Sequence, residues 1–204
     1  SRGMGALEYR PAVKSGRRKD VPIELSKMVE LASQILSDRE DFKQKLTEND
    51  HHQMKEAVTN LLVIGTSAGG ARAKCIIAYN EKTGEVLSGQ VKASPDFSYW
   101  LLKLDGVSNN KDKELSDPKG YGKIEYAYYL MAQKAGIEMS ECRLLEENGR
   151  AHFMTKRFDR YNGGEKLHMQ SLCAIAHCDF NLAGAYSYEL AMRTIREVVT
   201  NNVV

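Results

Sequence analysis

The run Glu141–Arg160, "ECRLLEENGRAHFMTKRFDR", limits this chain more than any other stretch. Asn-Gly at 148–149 stands between two segments that read as strands. This dipeptide suits the tight two-residue turn of an antiparallel hairpin, where both central residues need positive φ. Immediately before it lies "KIEYAYYLMAQKAGI", Lys123–Ile137, whose composition and spacing predict a helix closed by Gly136. A helix feeding a hairpin excludes an all-helical bundle.

The remaining elements follow from periodicity. "DVPIELSKMVELASQILSD" has Asp20 as N-cap and apolar residues at Leu25, Met28, Val29, Ala32, Ile35 and Leu36, which predicts an amphipathic helix. A second helix is expected over Asp50–Leu62, and the charged block Arg39–Glu48 reads as a solvated face. "AKCIIAYN", the Thr83-Gly84 turn and "VLSGQVKA" predict a hairpin. "FSYWLLKLD" reads as a further strand, "GVSNNKDKELSDPKGYG" as a loop. Helices are expected near His168–His177 and Tyr188–Val199. Helices, then a strand-rich segment with one inserted helix, then helices again make the predicted class α+β.

Bulk properties exclude several classes. The 204 residues suit one large domain or two small ones, and 42% hydrophobic with 27% charged residues indicate an ordinary globular chain. Twenty-nine basic against 27 acidic residues give a net charge of +2, which supplies no argument for nucleic acid or membrane. No apolar run approaches the roughly 18 residues a membrane span needs. The N-terminus lacks a signal pattern, so a cytoplasmic protein is the expectation. Cys173 and Cys178 with His168 and His177 resemble a metal cluster faintly, but the spacing matches no zinc motif, and the expectation is reduced, mostly buried thiols.

The chemical question sits at "VIGTSAGGARAKC", Val63–Cys75. Gly65 and Gly70 have Walker spacing, yet Ala71 stands where the lysine is required. A Rossmann loop needs Gly-x-Gly-x-x-Gly ahead of a helix, and here a strand follows. A plain tight turn fits the residues as well. The order of elements adds a third reading. A glycine-serine loop leads into a hairpin, a strand carries one lysine (Lys103) inside an apolar run, a helix bears an acid in its first turn (Glu125), and a hairpin exits through "MTKRFDR". This is the order of a protein-kinase-like N-lobe, where a strand lysine held by a helix glutamate meets the ATP phosphates. Each residue also has a plainer reading. A strand lysine between Leu102 and Leu104 can extend to solvent from an edge strand, and a first-turn acid complements the helix dipole.

Taken together, "GTSAGGARAK", "WLLKLD", the run from Glu125 to Arg160 and "LHMQSLCAIAHCDFN" resemble the HipA-like serine/threonine kinases, the toxins of bacterial type II toxin–antitoxin systems. The resemblance covers roughly Gly65–Tyr188, and "RGMGALEYRP" resembles the end of the family's small N-terminal subdomain. It implies a remnant of that subdomain at 1–20, a helical segment at 21–62, a kinase-like N-lobe at 63–165 and the start of a helical C-lobe at 166–204.

It further implies that Ser67 is an autophosphorylated regulatory serine, in a loop that cradles ATP with Gly69 and Gly70. Lys103 would be the ATP-phosphate lysine and Glu125 its helix partner. Lys156 and Phe158 would flank adenine, with Asp159 on the ribose side. The family often has glutamate at the place of Lys156, a change that a backbone contact would tolerate. Implied cofactors are ATP and Mg²⁺. Implied partners are a small HipB-like DNA-binding antitoxin and a protein substrate of the translation machinery, with an aminoacyl-tRNA synthetase as the family precedent. The family's catalytic loop, Asn-x-Asp-Asp-His-x-x-Asn, and its following metal aspartate do not occur in this sequence. The expectation is therefore a nucleotide-holding fragment with no catalytic residues of its own. The alternative is a non-catalytic module that binds antitoxin or a partner subdomain.

Overall fold

A computed structural model of the chain describes residues 72–90, 92–107, 119–161, 164–179 and 184–200, together with Gly5, Ala6, Val29, Ala32 and Leu182. The chain divides into two compact units, Ser1–Lys166 and Leu167–Val204. The helix expected over Asp50–Leu62 and the loop from Val63 to Ala71 lie outside the described residues, as does most of the helix expected after Asp20.

The first unit is built on a five-stranded sheet in the order β2-β1-β3-β5-β4, with every neighbouring pair antiparallel. Its strands are β1 (Lys74–Tyr79), β2 (Val86–Ser88), β3 (Ser98–Lys103), β4 (Cys142–Glu147) and β5 (Arg150–Lys156). Helix α1 (Tyr121–Lys134) lies between β3 and β4 in sequence and packs on β4 and β5. The architecture is mixed α+β.

Local chemistry accounts for the turns. Between β4 and β5, Asn148 has φ +44° and Gly149 φ +71°, so both central residues occupy the left-handed region, as the two-residue turn requires. Between β1 and β2, Asn80 Oδ1 accepts from the N–H groups of Lys82 at 2.9 Å and Thr83 at 3.3 Å, a side-chain mimic of a backbone turn. Helix α1 closes with the N–H of Gly136 on the carbonyl of Gln133 and that of Ile137 on Ala132, both at 3.0 Å. That is the paired bonding of a Schellman ending, with Gly136 at φ +77°. The helix is shifted towards the N-terminus from its sequence-predicted bounds, and Gly136 lies just beyond its last turn.

Period-two alternation divides the sheet into two faces. On one, Cys75, Ile77, Val86, Trp100, Leu102 and Met154 form a core with Ala73, Leu104 and Val107. Val29 and Ala32 complete it; both are helical and fully buried. They are two of the apolar positions that predicted the first helix, and their spacing of three puts them on one helical face. On the opposite face, Ala78, Leu87, Ala93 and Tyr99 form one cluster, and Tyr129 of α1 packs with Cys142 and Phe153 in another.

Beyond β5, two short strands, β6 (Arg160–Tyr161) and β7 (Glu165–Lys166), form a separate two-stranded sheet. Two-residue strands carry no periodicity, so the sequence gives no sign of them. The second unit contains α2 (Leu172–Ile175) and α3 (Tyr188–Thr200). Helix α2 is a single turn, shorter than the segment expected there, and Ser171 Oγ caps it by accepting from the Ala174 N–H at 3.2 Å.

Candidate functional site

Lys103 is the last residue of β3. Register sets it between Lys74 of β1 and Phe153 of β5, on the face that α1 covers. Lys74 is 5% exposed. The apolar core on the other face fixes the strand, so the lysine emerges from a rigid base. Its Nζ hydrogen-bonds to Glu125 Oε2 of α1 and lies 5.7 Å from the centre of the Phe153 ring. The pair is partly open to solvent, with side-chain exposures of 32% and 27%. A half-screened ion pair of this kind stabilises a fold little, by about 0–1 kcal/mol. Its cation remains available to an anionic ligand.

Glu125 does not sit in the first turn of its helix, as the sequence reading had it. The helix begins at Tyr121 and carries no acid in that turn. The dipole account of Glu125 accordingly loses its basis, and the ion pair with Lys103 takes its place.

Several groups hold the start of α1. Gly120, the N-cap residue at φ +113°, has no side chain to cap the helix. Its N–H donates to both carboxylate oxygens of buried Asp105, at 3.0 and 3.1 Å. The Asp105 N–H in turn donates to Nδ1 of fully buried His152 at 2.9 Å. Burial pushes His152 below its ordinary value, with Arg150 assisting; the charges of Glu147, whose Oε2 lies 3.8 Å from Nε2, and of Asp105 oppose it without prevailing. The Arg72 guanidinium lies 3.3 Å from the centre of the Tyr121 ring. Beside the ion pair, burial raises the Cys142 thiol, a hydrogen bond with Thr155 opposes this, and the charge of Glu125 adds to it.

The chain leaves the sheet at Lys156–Asp159. The Lys156 N–H donates to the Glu141 carbonyl and the Arg157 N–H to that of Tyr99, both at 2.8 Å. Lys156 pairs with Trp100 in register, which places its side chain on the face opposite Lys103. There Nζ lies 3.5 Å from Glu141 Oε2 and 5.8 Å from the Trp100 ring centre. Phe158 is 67% exposed.

Asp159 is 1% exposed and held between two guanidinium groups. Oδ1 accepts from Arg157 Nε at 2.8 Å; Oδ2 accepts from Arg157 at 2.6 Å and from Arg160 at 2.7 Å. The expectation put this residue beside a ribose. In the structure its carboxylate is instead buried and engaged by arginine on both oxygens. Burial by itself would raise its pKa, but the hydrogen bonds and charges of the arginines prevail and hold it below the usual carboxylate range.

The structure thus brings Lys103 and Glu125 together. It sets Lys156, Phe158 and Asp159 along one bend, with the Lys156 side chain on the far face of the sheet. Ser67, Gly69 and Gly70 lie outside the described residues. Sequence reading missed Lys74, Asp105, Gly122, His152 and Arg157. For Asp105 the visible signal, Asp-Gly after a strand, points only to a turn.

Cys173 and Cys178 donate to the carbonyls of Cys178 and Ala176 at 3.1 and 3.8 Å. Among the described residues, no three His, Cys, Asp or Glu side chains are grouped to hold a metal ion, and no helix is long and apolar enough to cross a membrane.

Comparison with curated proteins finds no match. Comparison with protein families does, and the matched region is the one just described. The HipA-like C-terminal domain matches residues 66–203, from the glycine-rich loop through the Lys103–Glu125 pair and the bend after β5 to the last helix. That is well over half of the 204 residues, and the chain belongs to this family of HipA-like C-terminal domains.

Proposed function

We propose that this chain is the nucleotide-holding part of a HipA-type serine/threonine protein kinase, the toxin of a toxin–antitoxin pair. One observation carries the reading. A lysine at the end of the third strand is paired with a glutamate on the helix that follows it. In protein kinases such a strand-lysine and helix-glutamate pair must be in place for phosphoryl transfer, because that chemistry is catalysed mainly by positioning and by neutralising oxygen charge. A lysine fixed by a carboxylate, yet about a third exposed, suits the α- and β-phosphates of ATP. ATP would supply the phosphoryl group for a protein serine.

The other assignments extend this reading. The backbone at Lys156–Phe158 would meet adenine, a role that does not depend on where the Lys156 side chain points. Asp159 would act from within, bracing the bend through Arg157 and Arg160. The loop containing Ser67, Gly69 and Gly70 would cover the phosphates. A phosphate on Ser67 would repel those of ATP and switch the site off.

Mg²⁺ would accompany ATP in the full-length kinase; among the described residues no three His, Cys, Asp or Glu side chains are grouped to hold a metal ion, and the family's Asn-x-Asp-Asp-His-x-x-Asn loop, which would hold it, is not in the sequence. No metal-dependent step is therefore assigned to this chain. The proposed partners are a HipB-like DNA-binding antitoxin and a protein substrate such as an aminoacyl-tRNA synthetase.

The test is a titration with a fluorescent ATP analogue. Replacing Lys103 by Met removes a charge-assisted contact worth about 1.5–3 kcal/mol, so affinity should fall roughly tenfold to a hundredfold. Unchanged affinity in a folded Lys103→Met protein would overturn the assignment. Failure of the wild-type chain to bind nucleotide, with retained antitoxin binding, would favour the non-catalytic module.

A further inference from the structure

We propose that Asp105 and Gly122 are positioning residues that fix Glu125 against Lys103, so that the ion pair stays assembled with or without nucleotide. The proposal rests on the reading of that pair as the phosphate site. It assigns the setting of the pair to the sheet itself, through two anchors at the start of α1.

The first anchor is Asp105, two residues beyond Lys103. Its carboxylate accepts the Gly120 N–H with both oxygens and the Ala151 N–H at 3.5 Å. Its own N–H reaches His152 Nδ1 at 2.9 Å. One buried residue therefore joins the end of β3, the N-cap of α1 and the start of β5. The Gly120 side offers no cap of its own, and this carboxylate instead takes the N-cap residue's own N–H, the bond that the third helical residue makes in a capping box.

The second anchor is contact without any side chain. A Cβ on Gly122 would lie 1.9 Å from the Ala151 carbonyl oxygen and 3.1 Å from the Phe153 nitrogen. The first turn of α1 therefore rests directly on the β5 backbone, at a distance only glycine permits. Glu125 follows three residues later, about 4.5 Å along the axis and on the same side of the helix. Gly122 and Tyr129, the two buried residues of α1, mark that side as the one facing the sheet. A one-residue rotation turns a helix by about 100° and would carry the carboxylate away from Lys103. Held at both Gly120 and Gly122, the helix start has no room for that rotation.

The test reads Lys103 directly, in the full chain and without nucleotide. Trace acetylation followed by mass spectrometry compares Lys103 with Lys82, a largely exposed turn lysine whose side chain is 84% accessible. An amine engaged with a carboxylate must leave it before it can react. Glu125→Gln should raise the Lys103 rate relative to Lys82 by roughly fivefold, the coupling expected of groups in contact. Asp105→Asn should do the same, and the double variant should label no faster than Glu125→Gln alone. A general loosening of the fold would instead add to the effect of Glu125→Gln. Wild-type labelling in folded Asp105→Asn, or additivity in the double variant, overturns the proposal. If Asp105→Asn does not fold, Asp105→Glu, which keeps the carboxylate but displaces it from the Gly120 N–H, replaces it, with the same two outcomes. Because nucleotide is absent, failed ATP binding would leave this result standing, and failed coupling would leave the ATP titration to be judged by itself.

Discussion

Replacing Asp159 by Asn should destabilise the first unit while preserving its shape. The side chain is 1% exposed, and its neighbours Arg157 and Arg160 are 5% and 3% exposed at the side chain. Removing one member of a buried ionic group leaves the other charges without compensation, which costs about 3–5 kcal/mol. Asn keeps one acceptor, so the lower figure applies. In a unit of 166 residues, about 3 kcal/mol corresponds to a fall of roughly 6–12 °C in Tm. Calorimetry would measure it. A second substitution, Arg157→Met, should restore part of the loss by removing one of the two cations that the Asp159 carboxylate balances.

The same cluster should set acid sensitivity. The folded-state pKa is depressed below the ordinary 3.8, so the stabilisation is complete above that value and is lost as the pH falls from 3.8 through the folded value. Asp159→Asn should remove this slope. A Tm within 2 °C of wild type (a change of about 1 kcal/mol or less), accompanied by weaker nucleotide binding, would refute the argument. It would return Asp159 to the ligand side.

Three further outcomes are expected. His152 is held below its ordinary 6.5 in the folded protein, so the unfolded chain binds more protons and stability falls as pH drops from 6.5 towards the folded value; melting curves of His152→Asn, whose Oδ1 can replace Nδ1 as acceptor, should lack that dependence. Gly149→Val places a branched side chain at φ +71° and should cost about 1–2 kcal/mol in a urea titration, whereas Asn148→Gly at φ +44° should cost little. Burial pushes the Cys75 thiol up to about 12, so a thiol reagent at pH 8 should label the partly exposed Cys173 and Cys178 in the native protein and reach Cys75 only on unfolding.

What could be read from the sequence was local. Asn148-Gly149 and Gly136 are dictated by backbone sterics within a few residues, and the structure has all three at positive φ. The apolar spacing that includes Val29 and Ala32 is likewise a property of one helix, and both positions are buried in the core. Pairings across the chain were harder to see. Glu125 looked like a dipole partner because an acid near a helix start is common; only the packing of α1 on β4 and β5 shows which strand it meets. Asp159 lies between Arg157 and Arg160 in a polar-looking exit, and nothing in "KRFDR" announces that its carboxylate is buried. Lys156 shows what register adds, since its face becomes readable once Trp100 is known to be its partner.

The strand order has a consequence for how copies of this chain meet. An open sheet margin is a rail of unpaired amides and carbonyls onto which another molecule can add a strand, the first step of edge-to-edge aggregation. Here the margins are β2 and β4. The first is only three residues long, too short to give a second strand much purchase. The second carries Arg143, Glu146 and Glu147, so an incoming copy of β4 laid antiparallel or parallel would have to desolvate charge on both sides of the new junction. The long, uncharged segments most apt to recruit a stranger, Cys75–Tyr79 and Tyr99–Leu102, lie one strand or more inside. The fold thus hides its most adhesive backbone behind its least adhesive, a form of protection against self-association.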